Sequence, residues 1–125
     1  MDKRKVIIDC DPGIDDALSI ILALESKEIE VIGITTVSGN VESVQGAKNA
    51  LKVLKLLGRL DIPVYLGESK PVKRELVTAQ DTHGEDGLGE TFLEEVSSEY
   101  IRENGVDFIL NTLKNQENVS IIALG

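Results

Sequence analysis

Cysteine is almost missing from this chain: Cys10 is the one example in 125 residues. That excludes a disulfide framework and makes a reducing, cytoplasmic address the default expectation. Also missing is any apolar run near the ~20 residues that a membrane-spanning helix needs. The basic start Lys3-Arg4-Lys5 leads only into Val6-Ile7-Ile8, too short for the core of a signal peptide. Positive charge is scarce, because 13 Lys and Arg stand against 22 Asp and Glu, a formal net charge of −9. With no basic stripe to neutralise phosphates, nucleic acid is an unsuitable partner. No G-x-G-x-x-G occurs, so a dinucleotide site of the usual kind has no support. Repeats and low-complexity tracts are absent too. Histidine occurs once, at His83.

What the chain does have is a soluble globular composition and enough length for one domain with a real core. The run Val6-Ile7-Ile8 reads as a buried strand. Leu18, Ile21, Leu22 and Glu25 recur at helical spacing, so a helix begins near Asp15. Residues 29–37, β-branched and nearly all apolar, read as a central strand buried on both faces. Ser38-Gly39-Asn40 supplies the turn that ends it. Residues 41–57 carry Val44, Ala47, Leu51, Leu54 and Leu57 on one helical face, with Gly58 as the terminating residue. Ile62 to Leu66 is a third strand. Residues 107–116 read as a helix with Gly105 outside its start, and residues 119–124 as a fourth buried-type strand. Alternating strands and helices predict right-handed crossovers and an α/β fold, a Rossmann-like, mostly parallel sheet with flanking helices.

Between them, residues 68–90 lose all periodicity and hold Pro71, Gly84, Gly87 and Gly89, so a long surface excursion is expected there. Residues 78–89 are expected to be the most mobile internal part of the chain. Residues 93–102 fit helix and strand equally.

The stretch that organises the rest is Asp9-Cys10-Asp11-Pro12-Gly13-Ile14-Asp15-Asp16. It lies between the first strand and the first helix, at the sheet edge where open α/β folds keep their ligands. Four carboxylates in eight positions repel one another, and a helix N-terminus offsets only part of that. A bound cation is the natural remedy, and carboxylate oxygens suit Ca²⁺ or Mg²⁺. Any one of these Asp residues alone would read as a cap or a solvated loop residue. Together they point to a cation site. Cys10 sits among the same anions, which would raise its pKa and disfavour the thiolate, so it reads as a small packed residue rather than a nucleophile.

DCDPGIDDA after an apolar strand closely resembles the amino-terminal signature of the nucleoside hydrolases, the inosine–uridine-preferring ribohydrolases and their relatives. ITTVSGN and THGEDGLG resemble that family's next two landmarks, in the right order, and the resemblance runs from Lys5 to the last residue. It implies a nucleoside hydrolase fold, truncated, with residues 1–125 forming the amino-terminal part of a larger domain and an incomplete catalyst alone. The implied reaction is calcium-dependent hydrolysis of ribonucleosides to ribose and free base, in purine or pyrimidine salvage, by a homo-oligomer.

By the same resemblance, Asp11 is the general base acting on a water and also a metal ligand. Asp16 is the second carboxylate ligand, and Leu124 gives its main-chain carbonyl to the calcium. Asp15 would face the ribose hydroxyls, Asn40 the ribose, and His83 the nucleobase. Asp9 is left to loop support, accepting backbone N–H groups across the turn. Two other readings stay open on the residues. A haloacid-dehalogenase-type phosphatase also opens with Asp-x-Asp after a first strand, although Gly13 stands where it usually has Thr or Val. A non-catalytic fragment that binds a metal or a partner chain is the other.

Overall fold

The computed structural model describes residues 3–11, 13–37, 43–67 and 96–124. Nine short elements follow among these residues: β1 (Arg4–Cys10), α1 (Ile14–Glu25), β2 (Ile29–Thr36), α2 (Ser43–Leu56), β3 (Val64–Leu66), a 3₁₀ turn (Ser98–Tyr100), β4 (Ile101–Arg102), α3 (Gly105–Asn115) and β5 (Val119–Ala123). The strands form one sheet in the order β4-β3-β2-β1-β5, and every pairing is parallel. The expected α/β class and its flanking helices are present.

Strand alternation sorts the side chains between two faces. Val6, Ile8 and Cys10 of β1, Val31 and Ile34 of β2, and Val64 of β3 join one core with Ala17, Ile20 and Ala23 of α1 and Ala47, Ala50, Leu51 and Leu54 of α2. Two successive right-handed crossovers put α1 and α2 on that same face. Each fully buried Ile or Leu here stabilises the fold by roughly 1.5–3 kcal/mol relative to leaving it in water. On the opposite face Tyr65 stacks on Phe108 of α3, with ring centroids 4.2 Å apart and planes 11° from parallel. The ring of Phe108 lies over Gly33, where an added Cβ would come within 2.5 Å of it. Glycine at position 33 is what lets α3 seat on the sheet.

The structure corrects several expectations. Leu18 and Leu22, expected on the inner face of α1, are exposed, and Ala17 and Ile20 are buried instead. Val44, read on the apolar face of α2, is likewise exposed. Gly105 is the first residue of α3 rather than outside it, and Asn104 caps the helix in a left-handed conformation at φ 64°. The ambiguous stretch before it contributes a 3₁₀ turn and the two-residue strand β4. Ile121, in a strand expected to be buried, is 41% exposed, because β5 is an edge of this sheet. The excursion at 68–90 and the expected mobility of 78–89 lie outside the described residues.

Gly58 closes α2 as expected. It has φ +69°, its N–H donates to the Lys55 carbonyl at 3.1 Å, and the Arg59 N–H donates to the Leu54 carbonyl at 2.8 Å. These two bonds are the Schellman pattern. A Cβ at position 58 would meet nothing within 4 Å, so substitution there tests conformation alone. Gly58→Ala should therefore cost ~1–2 kcal/mol, the penalty of a left-handed conformation on an L residue, and Gly58→Asn should cost less. Urea unfolding midpoints of the two variants check this, and equal stability of Gly58→Ala and the unsubstituted chain would contradict it.

Candidate active site

The sheet reverses its strand order at β1. From β1 the chain steps outward through β2, β3 and β4, and then returns to place β5 on the other side of β1. Open α/β folds bind ligands outside the carboxyl ends of the strands at such a reversal. The acidic loop leaves β1 there, and Leu124 leaves β5 beside it. Main-chain hydrogen bonds tie this edge together beyond the strand ends. Leu124 N–H donates to the Asp9 carbonyl at 2.7 Å, Val37 N–H to the Cys10 carbonyl at 2.9 Å, and Gly67 N–H to the Thr36 carbonyl at 2.7 Å.

The four loop carboxylates do not converge on one point; they separate into three environments. Asp9 turns to the sheet face that carries Tyr65, where its carboxylate accepts from the Thr35 hydroxyl at 2.6 Å. That is a side-chain partner on the next strand, in place of the backbone N–H groups expected across the turn. Asp15 is exposed in the first turn of α1, and its carbonyl accepts from the Ser19 hydroxyl at 3.1 Å. Asp11 and Asp16 come together. Both are buried, at 9% and 3% exposed. Asp16, in the third residue of α1, reaches back so that its carboxylate accepts from the Asp11 N–H at 2.9 Å. This resembles the reciprocal arm of a capping box, with Asp in place of Glu.

Burial pushes the Asp16 carboxyl up to about 7, helped by a side-chain hydrogen bond with Asp11 and by repulsion from Asp11 and Asp15, while the Asp11 N–H pulls the other way. Two carboxyl groups this close cannot both ionise cheaply, which is the physical reason that Asp16 holds its proton to higher pH. Cys10, fully buried between them, has its thiol pushed well above its usual range by burial first and then by Asp16, Asp9 and Asp11. Its Sγ donates to the Thr35 carbonyl at 3.7 Å, which suits a packed residue.

The donors that could hold a metal here are hard oxygens, the Asp11 and Asp16 carboxylates with the Leu124 backbone on the adjoining strand. Among the described residues no three His, Cys, Asp or Glu side chains gather into a metal-ligating group. Two buried carboxylates brought together by the loop are hard oxygen donors of the kind a dication takes. Asn40 and His83 lie outside the described residues. Thr35 is a site residue that the sequence reading missed, although a signal existed, because a Thr opposite Asp9 in a parallel ladder shares its face. A depression of about 720 Å³ at the other end of the sheet, walled by Lys3, Arg4, Lys5, Glu30, Glu117 and Asn118, touches none of these groups. No helix among the described residues is long and apolar enough to cross a membrane.

Residues 6–125 match the family model described as inosine-uridine preferring nucleoside hydrolase. The chain is 44% identical over 121 residues to the pyrimidine-specific ribonucleoside hydrolase RihA of Salmonella typhimurium, covering 96% of this chain and 39% of that protein. It superposes on a plant nucleoside hydrolase, the PpNRh1 enzyme, with a TM-score of 0.85 and 39% identity, over 99% of this chain and 40% of that one. A purine-preferring ribonucleoside hydrolase from Gardnerella vaginalis gives the same TM-score, 0.85, at 37% identity, over 97% of this chain and 40% of its own. The chain thus spans about two fifths of the length of these relatives. The phosphatase alternative, which rested on Asp9 and Asp11 as a pair, is not the family that the match over residues 6–125 gives.

The Asp16 carboxyl sets a pH dependence of known sign. Its folded value of about 7 lies above its ordinary 3.8. Between those limits the folded chain holds a proton that the unfolded chain has released. Without metal, stability should therefore fall as pH rises from about 4 to about 7, and the proton-linked loss should be complete above that range. Asp16→Asn should flatten that slope. Calcium should restore stability most at the alkaline end, where no proton competes for the pair. Urea midpoints at several pH values, with calcium and with chelator, read both effects. A midpoint that rises over this window without metal, and does so equally in Asp16→Asn, would contradict the assignment.

Proposed function

Because the chain belongs to the inosine-uridine preferring nucleoside hydrolase family, we propose that its protein hydrolyses the N-glycosidic bond of ribonucleosides to ribose and free base. The observation that carries this reading is the buried Asp11–Asp16 pair at the carboxyl end of β1, beside the strand reversal. A ribose placed in that crevice meets carboxylates on one side and the end of β5 on the other. The relatives described above divide between pyrimidine-specific and purine-preferring names. The proposal therefore attaches to the ribose, which both substrate types share, and leaves salvage of either base as its setting.

In this reading Asp11 is the general base. It takes a proton from the water that attacks the anomeric carbon, and a base must lie within hydrogen-bond reach of that proton. As the C–N bond breaks, its electron pair leaves with the nucleobase. The ribose passes through an oxocarbenium-like state, whose positive charge the surrounding carboxylates stabilise. Asp11, Asp16 and the Leu124 carbonyl would hold the cation through hard oxygen donors, and Ca²⁺ is the ion that the family resemblance implies. When bound, it neutralises the carboxylate pair and supplies Lewis acidity to a water at the site. Asp15, exposed at the first turn of α1, is proposed to meet ribose hydroxyls. Asn40 for the ribose and His83 for the nucleobase complete the proposed contacts. We read the working protein as a cytoplasmic homo-oligomer.

Asp11→Asn nearly preserves volume and hydrogen-bond geometry, yet an amide cannot take a proton from water. In the full-length protein it should lower kcat for inosine or uridine by ~10²–10⁴-fold, the usual scale for a general base, and leave the circular dichroism spectrum unchanged. Asp11→Ala and Asp16→Ala should each weaken calcium binding in a titration calorimeter. Near-normal kcat in Asp11→Asn would refute the base assignment, and undiminished calcium binding by both alanine variants would refute the cation site.

A further inference from the structure

Asp9 has no part in the chemistry just described, yet it occupies the junction of the three strands that meet at the site. In the ladder it pairs with Thr35 of β2 on one side and with Ala123 of β5 on the other. Its main-chain carbonyl accepts from the Leu124 N–H at 2.7 Å. Its carboxylate accepts from the Thr35 hydroxyl at 2.6 Å. The second bond is charge-assisted and short, the stronger class of hydrogen bond. It lies on the face that carries Tyr65 rather than on the one that carries Cys10.

We infer that Asp9 is a positioning residue, a clamp in which the Thr35 hydroxyl fixes the end of β1 and thereby fixes Leu124 and Asp11 relative to each other. Leu124 and Asp11 directly follow different strands and are 113 residues apart in sequence. Any ion they share requires their two oxygens to be held at one separation. The peptide ladder brings β5 beside β1, but parallel ladders fray at their ends, and both donors sit on the last rung or just past it. A carboxylate anchored to the far neighbour, β2, removes that freedom at the residue from which Leu124 hangs. A carboxylate at position 9 makes the bond to Thr35 a charge-assisted one, stronger than a neutral side chain would give.

The consequence for the cation rests on the site proposed above, so two readouts are needed. The first is independent of metal. Thr35→Val removes the hydroxyl and keeps the shape, and it should speed amide exchange at Leu124 by ~10-fold or more beyond any change in the most protected core amides. Thr35→Ser, which keeps the hydroxyl, should restore protection. The second readout is calcium affinity by titration calorimetry on the same chain. Partners that orient a ligand typically contribute ~10–100-fold to metal affinity, so Thr35→Val should lose at least ~10-fold and Thr35→Ser within ~3-fold. Asp9→Asn still offers an oxygen to the hydroxyl and should lose less than Thr35→Val. If Thr35→Val does not fold, Thr35→Ser and Asp9→Asn compared with the unsubstituted chain decide the same question. Leu124 exchange unmoved by loss of the hydroxyl would overturn the clamp. A larger calcium loss in Asp9→Asn than in Thr35→Val or Thr35→Ser would overturn it too, showing that Asp9 acts by its charge on the ion. Absence of calcium binding by the unsubstituted chain would overturn the cation site and the clamp's role toward it, with the exchange result then judging the clamp alone.

Discussion

Burying Asp11 and Asp16 against each other at the end of β1 is the constraint to which this edge of the molecule answers. Each carboxylate loses hydration, and each repels the other. The fold offsets this locally with the Asp11 N–H aimed at Asp16 and with the amino-terminal end of α1 beneath both. Burial outweighs those two contributions and, with repulsion from Asp11 and Asp15, lifts the Asp16 carboxyl to about 7. A pair in this state is poised for a dication. The same electrostatics silences Cys10, since a thiolate between these carboxylates would add a third buried anion.

The sheet supplies the rest of the site by topology. A parallel ladder brings the carboxyl ends of all its strands to one edge, and the reversal at β1 opens a crevice between two of them. Leu124 comes to Asp9 through the main chain, its N–H donating to the Asp9 carbonyl. The opposite face is organised by aromatic packing, with Phe108 lodged between Tyr65 and the bare backbone of Gly33. That packing holds α3, and α3 returns the chain to β5. Replacing Gly33 would therefore reach the carboxyl edge of the sheet through β5.

Much of the fold was legible because helix and strand periods differ and turn residues mark the joints. Gly58 announced the end of α2, and a nearly unbroken β-branched run announced β2. Faces were harder to read. In α1, residues 17, 18 and 20–24 are all apolar, so periodicity could not say which stripe turns inward, and contact with β1, β2 and α2 chose Ala17 and Ile20 over Leu18 and Leu22. The strand β4, two residues long, carries too little pattern to be seen.

At the site the division is similar. The acidic motif, its place between strand and helix, and the family it resembles could be read from residue order, because a turn between β1 and α1 is a local matter. How its four carboxylates divide is not local. Asp9 goes to Thr35 because β2 pairs in the register that sets the two opposite, and Asp16 meets Asp11 because the first turn of α1 folds back over the loop. The meeting of Leu124 with this loop depends on a strand more than a hundred residues away. Chain order can state which groups carry charge, but the separation between charges decides whether they repel, share a proton or hold an ion, and only the tertiary fold sets that separation.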